Sequence, residues 1–125
     1  MKILIVDDER DVEMLFRQKF RNETKNENLE LIFAFSGAEA LEVLEASNPP
    51  NVVYVFSDIN MPGMTGLELL EKIKSRFPLI KVSMISAYGD SDNHDRAMSS
   101  GAKEFFTKPI DFGSLKKEIR EIMTS

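Results

Sequence analysis

Apolar residues along the chain fall into five short runs of strand length, separated by stretches in which they recur every three or four positions. The runs are 2–6 (KILIV), 29–35 (LELIFAF), 52–57 (VVYVFS), 81–86 (KVSMIS) and 104–108 (EFFTK). The periodic stretches, which predict helices, are 11–22, 37–47, 66–77, 91–101 and 112–123. In the first of these, Val12, Leu15, Phe16, Lys19 and Phe20 lie close to one helical face; in the second, Ala40, Leu41, Val43 and Leu44 point inward. Ser36-x-x-Glu39 and Thr65-x-x-Glu68 read as capping boxes at two helix starts. Gly101 suits a left-handed stop after the fourth helix, and Asn48-Pro49-Pro50 and Phe77-Pro78 interrupt two helical patterns.

Strict alternation of strand and helix argues for an α/β fold with a parallel sheet covered on both faces. Right-handed crossovers leave few arrangements, of which the doubly wound order 2-1-3-4-5 leads. That order sets strands 1 and 3 side by side at the switch point, where ligands collect beyond the carboxyl ends of the strands. There is no internal repeat, low-complexity tract or linker, so the 125 residues are expected to form one domain, 1–125.

Composition narrows the chemistry. The formal charge of −5, from 16 basic and 21 acidic residues, disfavours nonspecific attachment to nucleic acid or an anionic membrane. The absence of cysteine excludes disulfides, thiolate metal sites and Cys nucleophiles. The apolar run after Met1 is too short for a signal peptide, and none of the runs approaches a membrane span. A cytoplasmic protein, or a domain cut from one, is the expectation.

Polar groups gather where the strands end. The first strand is followed by Asp7-Asp8 and the third by Asp58, the fourth ends in Ser86, and the fifth ends in Lys108. In a parallel sheet these ends share one edge, so three carboxylates, a hydroxyl and an ammonium converge on one crevice. Adjacent carboxylates repel unless a cation or protons intervene. With no Cys or His nearby, the donor set selects an oxygen-seeking ion such as Mg²⁺, Mn²⁺ or Ca²⁺. Phosphoryl transfer to a carboxylate fits best: Asp is a nucleophile for aspartyl-phosphate formation, and a Lys and a hydroxyl can balance charge on the phosphoryl oxygens.

The segments ILIVDDE, SDINMPGMTGLELL, MISAYGD and GAKEFFTKPI, in this order and spacing, resemble the receiver domain of two-component response regulators across essentially the whole chain. The resemblance implies a flavodoxin-like (βα)5 fold and makes Asp58 the phosphoacceptor. It implies that Asp8 and Asp58 bind Mg²⁺ (or Mn²⁺) through their side chains, Asn60 through its backbone carbonyl, and Asp7 through a bound water. Ser86 would contact the phosphoryl group and shift toward it. Lys108 would pair with the phosphate, and Phe105 matches the aromatic switch position that turns inward as Ser86 moves. Lys108-Pro109 stands where the family usually has a cis bond. Phe105 replaces the common Tyr, Ser86 the commoner Thr, and Thr65 a frequent Asp or Asn.

The family further implies a switch rather than an enzyme, with a histidine kinase or histidine phosphotransfer protein as phosphoryl donor. Its signalling face would be the fourth helix, fifth strand and fifth helix, acting on an effector domain or partner protein, or on a second copy. Here that face would expose some of His94, Met98, Lys103, Lys117 and Glu121. Tyr88, two residues after Ser86, is expected to shield the acyl phosphate from water. His94, the single histidine, reads as a solvated surface residue. The fourth helix carries few core anchors beyond Ala97 and Met98, which suits an element that must move.

Two other readings share parts of this pattern. A flavodoxin-like electron carrier needs a Ser/Thr/Gly-rich phosphate cradle after the first strand, where this chain has DDERD. A haloacid-dehalogenase-like phosphatase needs a second carboxylate two residues after its nucleophile, where this chain has Asn60. A nucleoside triphosphatase is disfavoured by the lack of a G-x-x-x-x-G-K-[ST] motif. The 125 residues are expected to carry no DNA-binding segment of their own, so the protein is expected either to act alone through binding or to be a receiver cut from a longer chain; phrases such as LFRQKF and SAYGDSDN are similar to receivers placed ahead of signalling enzymes such as nucleotide cyclases.

Overall fold

The computed structural model describes residues 1–46, 50–87 and 91–124. Five parallel strands, β1 (Lys2–Val6), β2 (Glu30–Ala34), β3 (Val52–Asp58), β4 (Lys81–Ser86) and β5 (Phe105–Thr107), form one sheet. Their order is β2-β1-β3-β4-β5, as the alternating pattern predicts. The helices are α1 (Asp11–Lys19), α2 (Arg21–Asn26), α3 (Gly37–Glu45), α4 (Gly66–Arg76), α5 (Ser91–Ser99) and α6 (Phe112–Met123).

The period of two along the strands sorts side chains into two cores. Leu4, Val6, Val55, Val82 and Met84 face α3, α4 and α5, meeting Leu44, Leu70, Ile73 and Ala97. Ile3, Ile5, Tyr54, Phe56 and Ile85 face α1 and α6, meeting Phe16, Phe20, Leu115 and Ile119. Each such Val, Leu, Ile, Met or Phe side chain, fully buried, contributes about 1.5–3 kcal/mol.

Several sequence expectations shift in detail. The single first helix expected over 11–22 is two helices, because Phe20 leaves helical geometry (φ −105°, ψ 17°) to bury its ring parallel to that of Phe16 at 5.9 Å. Hydrogen bonding bridges the break, Thr24 N–H donating to the Phe20 carbonyl at 2.9 Å, and helix continues to Asn26. Only Val12, Phe16 and Phe20, spaced by four, turn toward the core; Leu15 lies on the flank and is 40% exposed. Val53 is exposed because the register between β1 and β3 slips at Lys2/Ile3, leaving it opposite no residue. β5 is shorter than expected and ends before Lys108. Of the interrupting prolines, Pro49 lies outside the described residues.

The caps differ too. Thr65 and Glu68 form a complete box at the start of α4. Ser36 accepts the Glu39 N–H, but the Glu39 carboxylate takes the N–H of Phe35 instead of that of Ser36, so only half a box forms. Gly101 adopts φ +102° and ends α5 as expected.

A buried polar chain crosses the α6 side of the sheet. Glu104 N–H donates to Ser83 Oγ at 3.1 Å, Ser83 Oγ lies 2.5 Å from the Tyr54 hydroxyl, and Tyr54 donates to Glu118 Oε1 at 3.2 Å. Lys103 Nζ closes the chain on the same Glu118 oxygen. Each hydroxyl can thus accept one hydrogen bond and donate another, and burial raises the Tyr54 pKa.

Gly66 sets how closely α4 approaches β3. A Cβ there would stand 2.0 Å from the Asp58 carbonyl oxygen and 2.8 Å from Ile59 Cα. Gly66→Ala should therefore lower the free energy of unfolding by at least about 2 kcal/mol. Removing the adjacent cap with Thr65→Ala should cost about 1 kcal/mol. Urea midpoints at unchanged slope measure both.

Candidate functional site

Strand hydrogen bonding carries the polar residues to one edge. Asp7 lies one residue beyond β1, yet its N–H still donates to the Ala34 carbonyl at 3.1 Å. Its Oδ1 accepts the Glu9 N–H at 2.9 Å, so the carboxylate is fixed by its own turn. Asp58 is the last residue of β3, in register with Ile85. Lys108, one residue past β5, donates its backbone N–H to the Ser86 carbonyl at 2.8 Å, which keeps the two positions paired beyond the strand end. The Lys108-Pro109 peptide bond is cis.

Carboxylate oxygens of Asp7, Asp8 and Asp58 lie within 4.8 Å of one another, the group among the described residues with the geometry to hold a metal ion. Asp7 and Asp58 are each 6% exposed, whereas Asp8 faces solvent. Lys108 Nζ reaches between the buried pair, 3.2 Å from Asp7 Oδ2 and 3.6 Å from Asp58 Oδ2. Burial, then the Asp7 charge, with a smaller push from Asp8, raises the Asp58 pKa to about 6 against the pull of Lys108 and the Ile59 backbone. For Lys108, burial opposes the charged form, but Asp58 and Asp7 outweigh it and hold its pKa above the usual value. One ammonium thus balances only part of the negative charge. An all-oxygen donor set with uncompensated charge fits a hard divalent cation such as Mg²⁺.

Of the residues picked out from sequence, Asp7, Asp8, Asp58 and Lys108 come into direct proximity. Ser86 is fully buried at the end of β4, joined to Lys108 through the backbone. Asn60 is exposed in the loop after Asp58. That loop is held at both ends, Ile59 N–H donating to the Ile85 carbonyl at 3.1 Å and Gly66 N–H to the Ile59 carbonyl at 2.8 Å. Between them, Met61 is buried, Gly63 turns the chain at φ +75°, and Met64 occupies the space a Cβ on Gly37 would need. Phe105 is half-buried against the α3–α5 core, away from the carboxylates along β5. Tyr88 lies outside the described residues.

Some site features were not anticipated. Ser57 donates its hydroxyl to the Asp58 carbonyl at 2.9 Å. The Arg10 guanidinium stacks over the Phe35 ring at 4.1 Å, tying the loop after β1 to the loop after β2. His94 is solvated on one side as read, but its ring packs edge-on against Phe105 at 5.2 Å. On the expected signalling face, Met98, Lys117 and Glu121 are exposed, while Lys103 is paired with Glu118.

Comparison with known proteins gives a consistent picture. The family model of the response regulator receiver domain matches residues 3–120. Sporulation initiation phosphotransferase F of Bacillus subtilis is 30% identical over 122 residues, which cover 98% of this chain and 93% of that protein. The DNA-binding transcriptional regulator NtrC of Escherichia coli is 46% identical over 76 residues, 61% of this chain but only 16% of that protein. Among solved structures, the response regulator TrrA of Thermotoga maritima, in complex with Mg²⁺ and BeF, superposes with a TM-score of 0.78. It is 29% identical, and the match covers 96% of each chain. Among the described residues, no helix is long and apolar enough to cross a membrane.

The raised Asp58 pKa makes a signed prediction. A carboxylate with a folded pKa near 6 and an ordinary value of 3.8 binds its proton more tightly when folded. Its ionisation therefore leaves stability intact below about pH 4 and erodes it as pH rises toward 6. In chelator, Asp58→Asn should match wild type near pH 4 and melt on the order of 5 °C higher near pH 7.5. Added Mg²⁺ should narrow the gap by raising wild type alone, as read by calorimetry.

Proposed function

Given that the chain belongs to the receiver domain family of two-component response regulators, we propose that it is a phosphorylation-dependent switch with Asp58 as phosphoacceptor. The observation that carries this reading is the meeting of Asp7, Asp8 and Asp58 with Lys108 at one sheet edge, beside the end of β4. The donor is a histidine kinase or histidine phosphotransfer protein carrying a phosphohistidine. The whole chain, 1–125, acts as one receiver domain.

Asp58 needs no general base, because the ionised carboxylate is itself the nucleophile. One of its oxygens attacks phosphorus, the P–N bond breaks, and the electron pair returns to the donor's imidazole nitrogen. Lys108 already stands between the two buried carboxylates, so its ammonium is placed to pair with a phosphoryl oxygen as charge arrives. Ser86 donates its hydroxyl to another. Asp8 and Asp58 would hold Mg²⁺ through their side chains, Asn60 through its backbone carbonyl, and Asp7 through a water. Bound there, the ion supplies the positive charge that lets a phosphoryl group approach three carboxylates.

Ser86 and Phe105 form the switch: the hydroxyl moves toward the phosphoryl group and the ring follows, altering the face made by α5, β5 and α6. That face then acts on an output. NtrC is far longer than this chain and phosphotransferase F is of similar length, so an attached effector, a separate partner and a second copy all suit the surface. Autodephosphorylation is the only other chemistry assigned to the chain.

Incubation with acetyl phosphate and Mg²⁺, read by intact mass, should add one phosphoryl group to wild type and none to Asp58→Ala. Lys108→Ala should slow the reaction by on the order of 10²-fold. An adduct on Asp58→Ala would overturn the assignment.

A further inference from the structure

α5 is held weakly: Ala97 is its one buried residue among those described, and Met98 is 39% exposed. Its polar face nevertheless makes a specific contact with the sheet. The His94 ring meets the Phe105 ring at 5.2 Å with an interplanar angle of 71°, an edge-to-face arrangement of the favourable kind. The His94 side chain as a whole stays 52% exposed, with Nδ1 3.3 Å from Asp95 Oδ1. His94 therefore caps Phe105 from the solvent side.

The sheet register places Phe105 beside the reacting hydroxyl. Met84 pairs with Phe105 and Ser86 with Thr107, and partners in a parallel sheet point to the same face. Met84 lies in the core that packs against α3–α5, so the side chains of Ser86 and Phe105, two positions away along the strands, share that face. β5 is a three-residue edge strand with no buried residue, which leaves its rings dependent on neighbours for position. If Ser86 is drawn toward a phosphoryl group on Asp58, space opens on the Phe105 side, and the edge contact with His94 must be released for the ring to enter it.

We propose that His94 is a positioning residue for the phosphorylation response: its imidazole braces Phe105 and tethers α5 to β5 in the resting protein, and phosphoryl capture at Asp58 breaks this brace. The proposal rests on the phosphoacceptor reading and adds to it the residue that sets the resting balance. Removing the brace shifts the balance toward the active state without touching the carboxylate site. An aromatic pair of this kind shifts a two-state balance by about 2- to 10-fold.

Because the chain has a single histidine, its imidazole C–H resonance can be followed without ambiguity. Phe105→Leu should move that resonance in the resting protein by removing the ring current of Phe105. Mg²⁺ with beryllofluoride should move the wild-type resonance the same way and leave Asp58→Asn unchanged. His94→Leu should bind beryllofluoride about 2- to 10-fold more tightly than wild type, by the same shift in balance. Fluorine NMR reports bound beryllofluoride independently. If none binds to wild type, the phosphoacceptor reading falls and the brace with it. If it binds and the His94 signal does not move, or if Phe105→Leu leaves that signal in place, the brace alone is overturned.

Discussion

Asp7, Asp8 and Asp58 hold carboxylate oxygens within 4.8 Å of one another, and like charges at that spacing repel. Near a protein surface the repulsion is on the order of 3 kcal/mol per ionised pair. Two of the three are buried, so water screens them poorly. The fold tolerates the arrangement because the two buried acids are held by other means, Asp7 through its own turn, Asp58 at the end of a central strand and both through Lys108, while Asp8 faces solvent. The site is therefore strained in charge and rigid in geometry. On the proposed reading, an incoming phosphoryl group with its cation would meet a pocket that already holds the counter-charges.

The sheet makes that rigidity possible. Five strands run parallel, so every carboxyl end lies at one edge, and residues from Asp7 to Lys108 meet although far apart in sequence. Two cores grip the sheet from opposite faces, one rich in Leu, Val and Ile, the other built around Phe16, Phe20, Tyr54 and Phe56. The grip is uneven. α4 buries five residues, α5 only one, and β5 none among those described. A fold with one lightly held corner next to a charged site has a place where a local change can be felt.

Much of this was legible in the chain. Short apolar runs marked the strands, their alternation with helices led to the order, and the residues at the end of the runs named the site, because in a parallel sheet a strand's end is a place in space as well as in sequence. What escaped was whatever depends on a contact between elements. Phe20 broke the first helix to bury its ring, which helical periodicity cannot show. Glu39 chose the Phe35 N–H over the expected cap. His94 read as solvated because it sits among polar residues, and only the fold sets Phe105 beside it. The Tyr54–Glu118 chain joins positions from four separate segments, each unremarkable alone. A glycine at the first turn of α4 was the available hint of close packing there.

That glycine has a mechanical consequence. With the Asp58 carbonyl occupying the volume a side chain at Gly66 would fill, and Gly66 N–H bonded to the Ile59 carbonyl, the end of β3 and the start of α4 are locked together by close backbone contact. The capping box at Thr65 stiffens the joint further. Displacement generated at Asp58 has little room to travel toward α4. The side open to it is β4 and the short edge strand, which buries no residue, so the direction in which the molecule can yield is set by where it has been made unable to.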